Sequence, residues 1–420
     1  MFRLLLISCI LHMHIASKAA TLPEEFVARK GLPGFLWKLQ HSRDTVTVAY
    51  LGGSITEAKN GWREQTFNWL QKQYPRVAFK QIDAAIGGTT SRLGVFRLNE
   101  QVLKYKPDLL FVEFAVNDDD DTRENVLTSM EGIVRKTWMA NAKTDICFVY
   151  TFAHYLLKNY NNEGAPSTVK AMEEIAGHYG IPSVNLSPKI VRLINDKKLF
   201  VSGKQPFIND STFFSGDGVH PYKETGHVYY TESIINAIMS LHSIAGPVKH
   251  MLGTAYFSSK FEKADMIPVT PAMAKGNIGH ITVSENKNEN LKRYSRYLSD
   301  VYKLSDTAAI LSFSFSGESI GFLDIIGPST GQLKVLIDND APRYINRFDK
   351  YCYYTRLSFT FIQGLSNKKH KIRVQISPAT FNKFGITEKQ LPMEADMKDK
   401  YSEYSWMVAK VLVNGKVYNE

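Results

Sequence analysis

Apolar and polar positions along this chain fall into two successive textures. Up to about residue 245, short apolar runs alternate with longer amphipathic segments. The runs at 45–51, 77–85, 109–116, 146–152 and 182–186 have strand length. Helical spacing predicts helices over 62–73, 90–104, 122–141, 168–179, 189–197 and 222–244. Repeated strand–helix alternation calls for a parallel sheet covered on both faces. Right-handed crossovers then bring the carboxyl ends of the strands to one edge, where a site is expected. Residues 21–43 read as a lead-in with a turn at Gly31-Leu32-Pro33-Gly34.

After Gly246-Pro247 the period changes to two. Leu311, Phe313 and Phe315 alternate with serines, Leu333, Val335 and Ile337 form a second set, and Leu357, Phe359 and Phe361 a third. Ile372, Val374 and Ile376 alternate with Arg373 and Gln375. Such strands have one dry and one wet face, and turn signals such as Gly327-Pro328 and Asn414-Gly415 separate them. The expected organisation is an α/β domain over 21–247 and an all-β sandwich over 248–420, with no internal repeat.

Composition changes this picture little. The 420 residues suffice for two domains. The net charge of +10 is spread without a basic run, so a solvated basic surface is the simpler reading, with no nucleic-acid partner expected. The N-terminus matters more. Arg3, an apolar stretch from Leu4 to Ala16, and Ser17-Lys18-Ala19-Ala20 make residues 1–20 a secretory signal peptide, implying a secreted or periplasmic protein. Lipidation at Cys9 is the less favoured reading, because apolar residues continue past it. No later stretch is long enough to span a bilayer. Cys147 and Cys352 are expected as buried free thiols, and no Cys/His spacing of metal type occurs, so neither metal nor organic cofactor is expected.

Four blocks carry candidate chemistry. Gly52-Gly53-Ser54 ends the first strand, Ala85-Ile86-Gly87-Gly88-Thr89-Thr90-Ser91 the second, and Phe114-Ala115-Val116-Asn117-Asp118 the third. Asp217-Gly218-Val219-His220-Pro221 precedes the last helix. A serine hydroxyl needs a base to accept its proton, which suits His220, and Asp217 is placed to orient the imidazole. A tetrahedral oxyanion needs donors, which the N–H groups of Ser54 and Gly88 and the Asn117 amide would supply. Singly each block is weak; Gly-Gly-Ser is an ordinary turn and Asn117 an ordinary cap. Asp118 to Asp121 reads most simply as a solvated loop opening the next helix.

Together, in this order, the blocks resemble those of the SGNH hydrolases, the GDSL-type esterases and lipases. The resemblance covers roughly residues 45–245 and implies a flavodoxin-like three-layer α/β/α fold. It implies Ser54 as nucleophile, Gly88 and Asn117 as oxyanion-hole residues, and Asp217 and His220 as the rest of a triad. The family's frequent Gly-Asp-Ser-Leu start reads Gly52-Gly53-Ser54-Ile55 here, which leaves the subgroup open. The stretch from Gly327 to Asp338, with 364–374, resembles jelly-roll domains that accompany some secreted carbohydrate-acting enzymes. The expected function is hydrolysis of acyl, chiefly acetyl, esters on carbohydrate through a seryl-acyl intermediate. A lipase or lysophospholipase of the same fold, and a non-catalytic glycan-binding protein, are the alternatives. His154, Trp62 and Arg63 are open between cleft and packing roles, His227 between packing and surface, and Arg97 is expected to pair with Glu113 or an aspartate.

Overall fold

The computed structural model describes residues 21–41, 44–241, 246–387 and 395–418. The signal-peptide and Cys9 readings lie outside these residues. The first region is a six-stranded sheet of β1 (Phe26–Val27), β2 (Val46–Gly52), β3 (Phe79–Ala85), β4 (Leu109–Glu113), β5 (Asp145–Tyr150) and β6 (Ser183–Asn185). Its order is β1-β6-β5-β4-β2-β3. Strands β2 to β6 are parallel to their neighbours, and β1 runs antiparallel at one edge. Every residue of β2, β4 and β5 is buried, as continuous apolar runs covered on both faces require. Edge strand β3 instead mixes buried and exposed positions.

Helices Trp62–Gln73 and Gly226–Ser240 pack together, and Ser91–Gln101, Arg123–Ala140 and Ser167–Tyr179 form a second packed series. The chain leaves β2 for β3 on one side and returns to β4 on the other. This reversal opens a crevice at the carboxyl ends of β2 and β4, the usual ligand position in such sheets. The lead-in is more structured than its sequence suggested: it supplies β1 and a helix, Pro33–His41. The final helix starts at Gly226, and a small sheet of Phe200–Ser202, Phe207–Ile208 and Ser211–Ser215 precedes it.

The second region packs two antiparallel sheets face to face as a β-sandwich. One contains Ile278–Thr282, Asp300–Leu304, Trp406–Asn414, Ile320–Ile326 and Arg356–Ile362, with Ala264–Pro268 paired to Trp406–Asn414. The other contains Ala274–Lys275, Ile310–Ser316, Lys369–Ile376, Gln332–Ile337 and Arg343–Asn346, with Lys416–Tyr418 on Ile310–Ser316. Between them lie Phe313, Phe315, Phe322, Val335, Val374 and Trp406.

The first sheet also buries much of its outer face, because it rests on the α/β domain. Leu323, Ile325, Leu357, Ala409 and Leu412 share one core with the α/β residues. Phe359 and Phe361 pack on that core, so the third alternating set faces the other domain and not the sandwich interior. Phe361 meets Phe96 at 5.0 Å between ring centroids. In strand Trp406–Asn414 the inward positions change phase. Leu323 pairs with Lys410 and Asp324 with Val408, which makes Ala409 the extra residue of a bulge. Lys410 thereby reaches Glu100 of the α/β domain at 3.2 Å. The linker is fixed as well, since the Glu131 carboxylate accepts the N–H groups of Tyr256 (2.5 Å), Phe257 (2.9 Å) and Ser258 (2.6 Å).

Candidate active site

Strand β2 delivers Ser54 to the crevice through Gly52 and Gly53, and a short helix, Ser54–Glu57, starts at the serine. The two glycines serve close approach, since neither has a positive φ. A Cβ at Gly52 would run into the Thr56 side chain and the Glu113 carbonyl oxygen, and one at Gly53 into the Asn117 carboxamide. Beneath the turn sits Glu113, fully buried at the end of β4. Its carboxylate accepts Thr56 Oγ1 (2.7 Å) and Thr151 Oγ1 (2.8 Å), and the Gly53 N–H is a third donor. Burial nonetheless pushes the Glu113 carboxyl up. Arg97 does not pair with Glu113. Its buried guanidinium donates to the carbonyls of Gly52 (3.1 Å) and Ala84, tying the ends of β2 and β3 together.

His220 reaches Ser54 from the loop before the last helix. Its Nε2 lies 2.8 Å from Ser54 Oγ, and its Nδ1 lies 2.6 Å from Asp217 Oδ2. The carboxylate only accepts, so Nδ1 carries the proton and Nε2 is left to accept from the serine. The loop is self-contained. Asp217 Oδ1 takes the N–H groups of Val219 (2.9 Å) and His220 (2.8 Å), and Gly218 N–H donates to Ser215 Oγ at 2.6 Å. Gly218 has φ +83°, which favours glycine. Desolvation alone would raise the Asp217 carboxyl, but the His220 ring and the two N–H groups outweigh it and hold it below the usual carboxylate range. The pair is open to solvent: His220 and Asp217 side chains are 53% and 55% exposed.

The other two blocks border the same serine. Gly87 abuts it, since a Cβ there would lie 3.4 Å from Ser54 Cβ. Gly88 follows in the left-handed region, φ +71°. Among the described residues, no acceptor is bonded to the N–H of Ser54 or of Gly88. Asn117 packs its carboxamide on Gly53, immediately before the serine. The acidic run is not wholly solvated. Asp118 is buried, and its Oδ1 accepts Ser91 N–H at 2.9 Å, joining the second and third blocks. Its other oxygen is buried without a partner. Burial pushes the Asp118 carboxyl up to about 7, against the Ser91 donors and with help from nearby Asp121 and Glu113.

The open readings resolve as follows. Trp62 is fully buried packing against Tyr50 and Phe111. Arg63 is buried too, donating to the Thr56 carbonyl (3.0 Å) and Gln81 (2.8 Å). His227 is buried; its Nδ1 accepts Trp62 N–H at 3.1 Å, and burial pushes it down to about 4. His154 is exposed, and its N–H donates to the Gly218 carbonyl (2.7 Å), so it borders the His–Asp loop. Cys147 and Cys352 are buried free thiols. Glu57 was missed from the sequence, and Glu113 and Asp118 were not expected to support the site. The signal for Glu113 was present, as a lone charge within an apolar strand. Among the described residues, no group of three or more His, Cys, Asp or Glu side chains is arranged to hold a metal ion, and no helix is long and apolar enough to cross a membrane. A cavity of about 530 Å³ lies away from this site, under Pro23 and Val27 beside Tyr150 and Glu173.

The fold and these strand-end blocks define a class. The model of the GDSL-like lipase/acylhydrolase family matches residues 50–225, within the α/β domain, and the chain is an ester-hydrolysing enzyme. Two solved structures extend the likeness of fold across both domains. A two-domain esterase active on acetylated mannans, co-crystallized with mannopentaose, aligns with TM-score 0.67 and 19% identity, covering 92% of this chain and 97% of that one. A second structure of a two-domain esterase active on acetylated mannans aligns with TM-score 0.67 and 20% identity, covering 89% and 92%. No curated protein matches the chain.

Proposed function

We propose that the protein is an exported serine esterase that removes acetyl groups from polysaccharide through a seryl-acyl intermediate. The carrying observation is the unbroken relay from Ser54 Oγ through His220 to Asp217, at 2.8 and 2.6 Å, on an open face. As Ser54 Oγ attacks the ester carbonyl carbon, His220 Nε2 takes its proton and Asp217 stabilises the imidazolium. The carbonyl oxygen becomes an oxyanion, received by the N–H groups of Ser54 and Gly88 and the Asn117 amide. Collapse expels the sugar oxygen, which takes the proton from His220. Water then attacks the acyl-serine with His220 again as base, releasing acetate and restoring Ser54.

The substrate class rests on three supports. The triad is half-exposed, suiting an ester on a bulky polymer better than a buried acyl tail. The two-domain fold match is to esterases active on acetylated mannans. The segment from Arg3 to Ala20 has the make-up of an export signal.

Acetate release from a panel of acetylated mannans and xylans, beside nitrophenyl esters of increasing chain length, tests the reading. Release from a polysaccharide and a preference for acetate over long chains are expected. Preference for long chains overturns the carbohydrate reading in favour of a lipase. Failure of a fluorophosphonate to label Ser54 overturns the seryl mechanism.

A further inference from the structure

Gly88 has a donor role in the mechanism but little of its own to hold it in place. It is exposed, and no heavy atom lies within 4 Å of where its Cβ would be. The loop is tied at both ends: Ile86 N–H donates to the Gly52 carbonyl (3.0 Å), and Ser91 N–H to Asp118 (2.9 Å). Its middle is tied by Glu57. Oε2 of Glu57 accepts the Gly87 N–H at 2.6 Å, from the last residue of the helix that Ser54 begins.

Glu57 is in turn held from the second domain. Its Oε1 is bonded to the Arg296 guanidinium and lies 2.6 Å from the Tyr297 hydroxyl. That hydroxyl is also 3.0 Å from the Ala85 carbonyl, and Arg296 reaches Asp83 at 3.3 Å. One dipeptide thus grips Asp83, Ala85 and, through Glu57, Gly87. The Arg296 guanidinium stacks on Tyr297 at 4.3 Å. The segment is braced from behind, with Leu291, Tyr294 and Leu298 in the core and Arg293 donating to the Thr355 carbonyl at 2.6 Å.

We propose that the second domain sets the oxyanion loop: Tyr297 and Arg296 are positioning residues that fix Glu57, and Glu57 fixes the Gly87–Gly88 amides against Ser54. This rests on the serine-esterase reading and adds to it a catalytic duty for the second domain that involves no glycan. A carboxylate with a neutralising cation and a hydroxyl on one oxygen is confined, so its other oxygen presents a fixed acceptor. Released, the Gly88 donor drifts from the developing oxyanion, which costs turnover before it costs binding, because the contact exists mainly in the transition state.

The test uses the full chain and 4-nitrophenyl acetate, a substrate too small to span the domains. Glu57→Ala, Glu57→Gln, Tyr297→Phe, Arg296→Ala and Ser54→Ala are compared by kcat, KM and thermal midpoint. Losing one oriented donor is expected to lower kcat about 100-fold in Glu57→Ala, with a loss of about fivefold in Tyr297→Phe. KM should be nearly unchanged, Glu57→Gln should recover part of the loss, and Glu57→Ala/Tyr297→Phe should be no worse than Glu57→Ala alone. Wild-type kcat in Glu57→Ala and Tyr297→Phe while Ser54→Ala is inactive overturns the proposal. So does a loss confined to KM, or one that follows a fall in thermal midpoint. Retained activity in Ser54→Ala overturns the underlying serine reading instead.

Discussion

The two sides of the site are built differently. The Ser54 side is supported from below and behind, by Glu113, Arg97 and Glu57, and it draws on β2, β3, β4 and the second domain. The His220–Asp217 side is a loop whose turn is closed by its own hydrogen bonds between Ser215 and His220, with His154 N–H on the Gly218 carbonyl, and whose two side chains are half in water. The difference follows from what each must hold. The Ser54 hydroxyl rides on a short turn, and the proposed Ser54 and Gly88 donors are backbone N–H groups, which only the surrounding fold positions. An imidazole is oriented by one neighbour, so a short loop suffices. Changes on the loop side should therefore cost activity alone, and loss of the buried Glu113 under the serine should cost stability as well.

The largest effect tests the chemistry at the meeting point. Ser54→Ala should lower kcat by about 10⁴-fold or more while the thermal midpoint stays put, because the residual oxyanion contacts alone do little. Asn117→Ala should lower kcat by about 10²- to 10³-fold with KM little changed. An equal rise in KM at constant kcat would assign Asn117 to ground-state binding.

Glu113→Ala sharpens the contrast from below. It leaves two hydroxyls and an N–H without their buried acceptor, and should destabilise the protein by about 2–4 kcal/mol, measured by denaturant unfolding. His220→Ala, by contrast, should unfold at the wild-type midpoint. If both variants unfold alike, the division into supported and self-contained halves is wrong.

Acid should separate the halves further. Asp217 is held below the usual carboxylate range, so it stays ionised as the solution is acidified and adds no proton to the acid limb of activity. The acid limb of kcat/KM should then have unit slope, reporting a single proton.

The last effect is on stability alone and has no counterpart in turnover. The Asp118 carboxyl, raised to about 7 in the folded protein, titrates near 4 when unfolded. Between those values the folded state binds more protons than the unfolded, so rising pH removes stability across that window and nothing more above it. Asp118→Asn should lack this dependence, and its stability relative to wild type should climb from about pH 4 to 7 and then level. A constant offset would place the titration elsewhere.

Much of the site was legible because its residues sit where local rules already speak. Ser54, Gly88 and Asn117 each follow a strand-length apolar run, and a parallel sheet gathers such ends at one edge. His220 and Asp217 lie three residues apart, so their partnership needed only a tight loop. Trp62 and His227, by contrast, were left open, because burial at a helix start or end depends on what the other domain layer brings over it. The acidic run from Asp118 to Asp121 looked solvated, yet Asp118 is buried because Ser91, 27 residues away, offers it an N–H.

The sequence by itself determined the two textures, the order of strands and helices, and the four loops that meet at the serine, since periodicity and chain direction are local properties. Tertiary structure alone decided that much of the outer face of the sandwich's first sheet is covered by the α/β domain, that Phe359 and Phe361 turn toward that domain, and that Tyr297 and Glu57, 240 positions apart, share a hydrogen bond. Alternation states that a strand has two faces; only the packed partner determines which of them meets water.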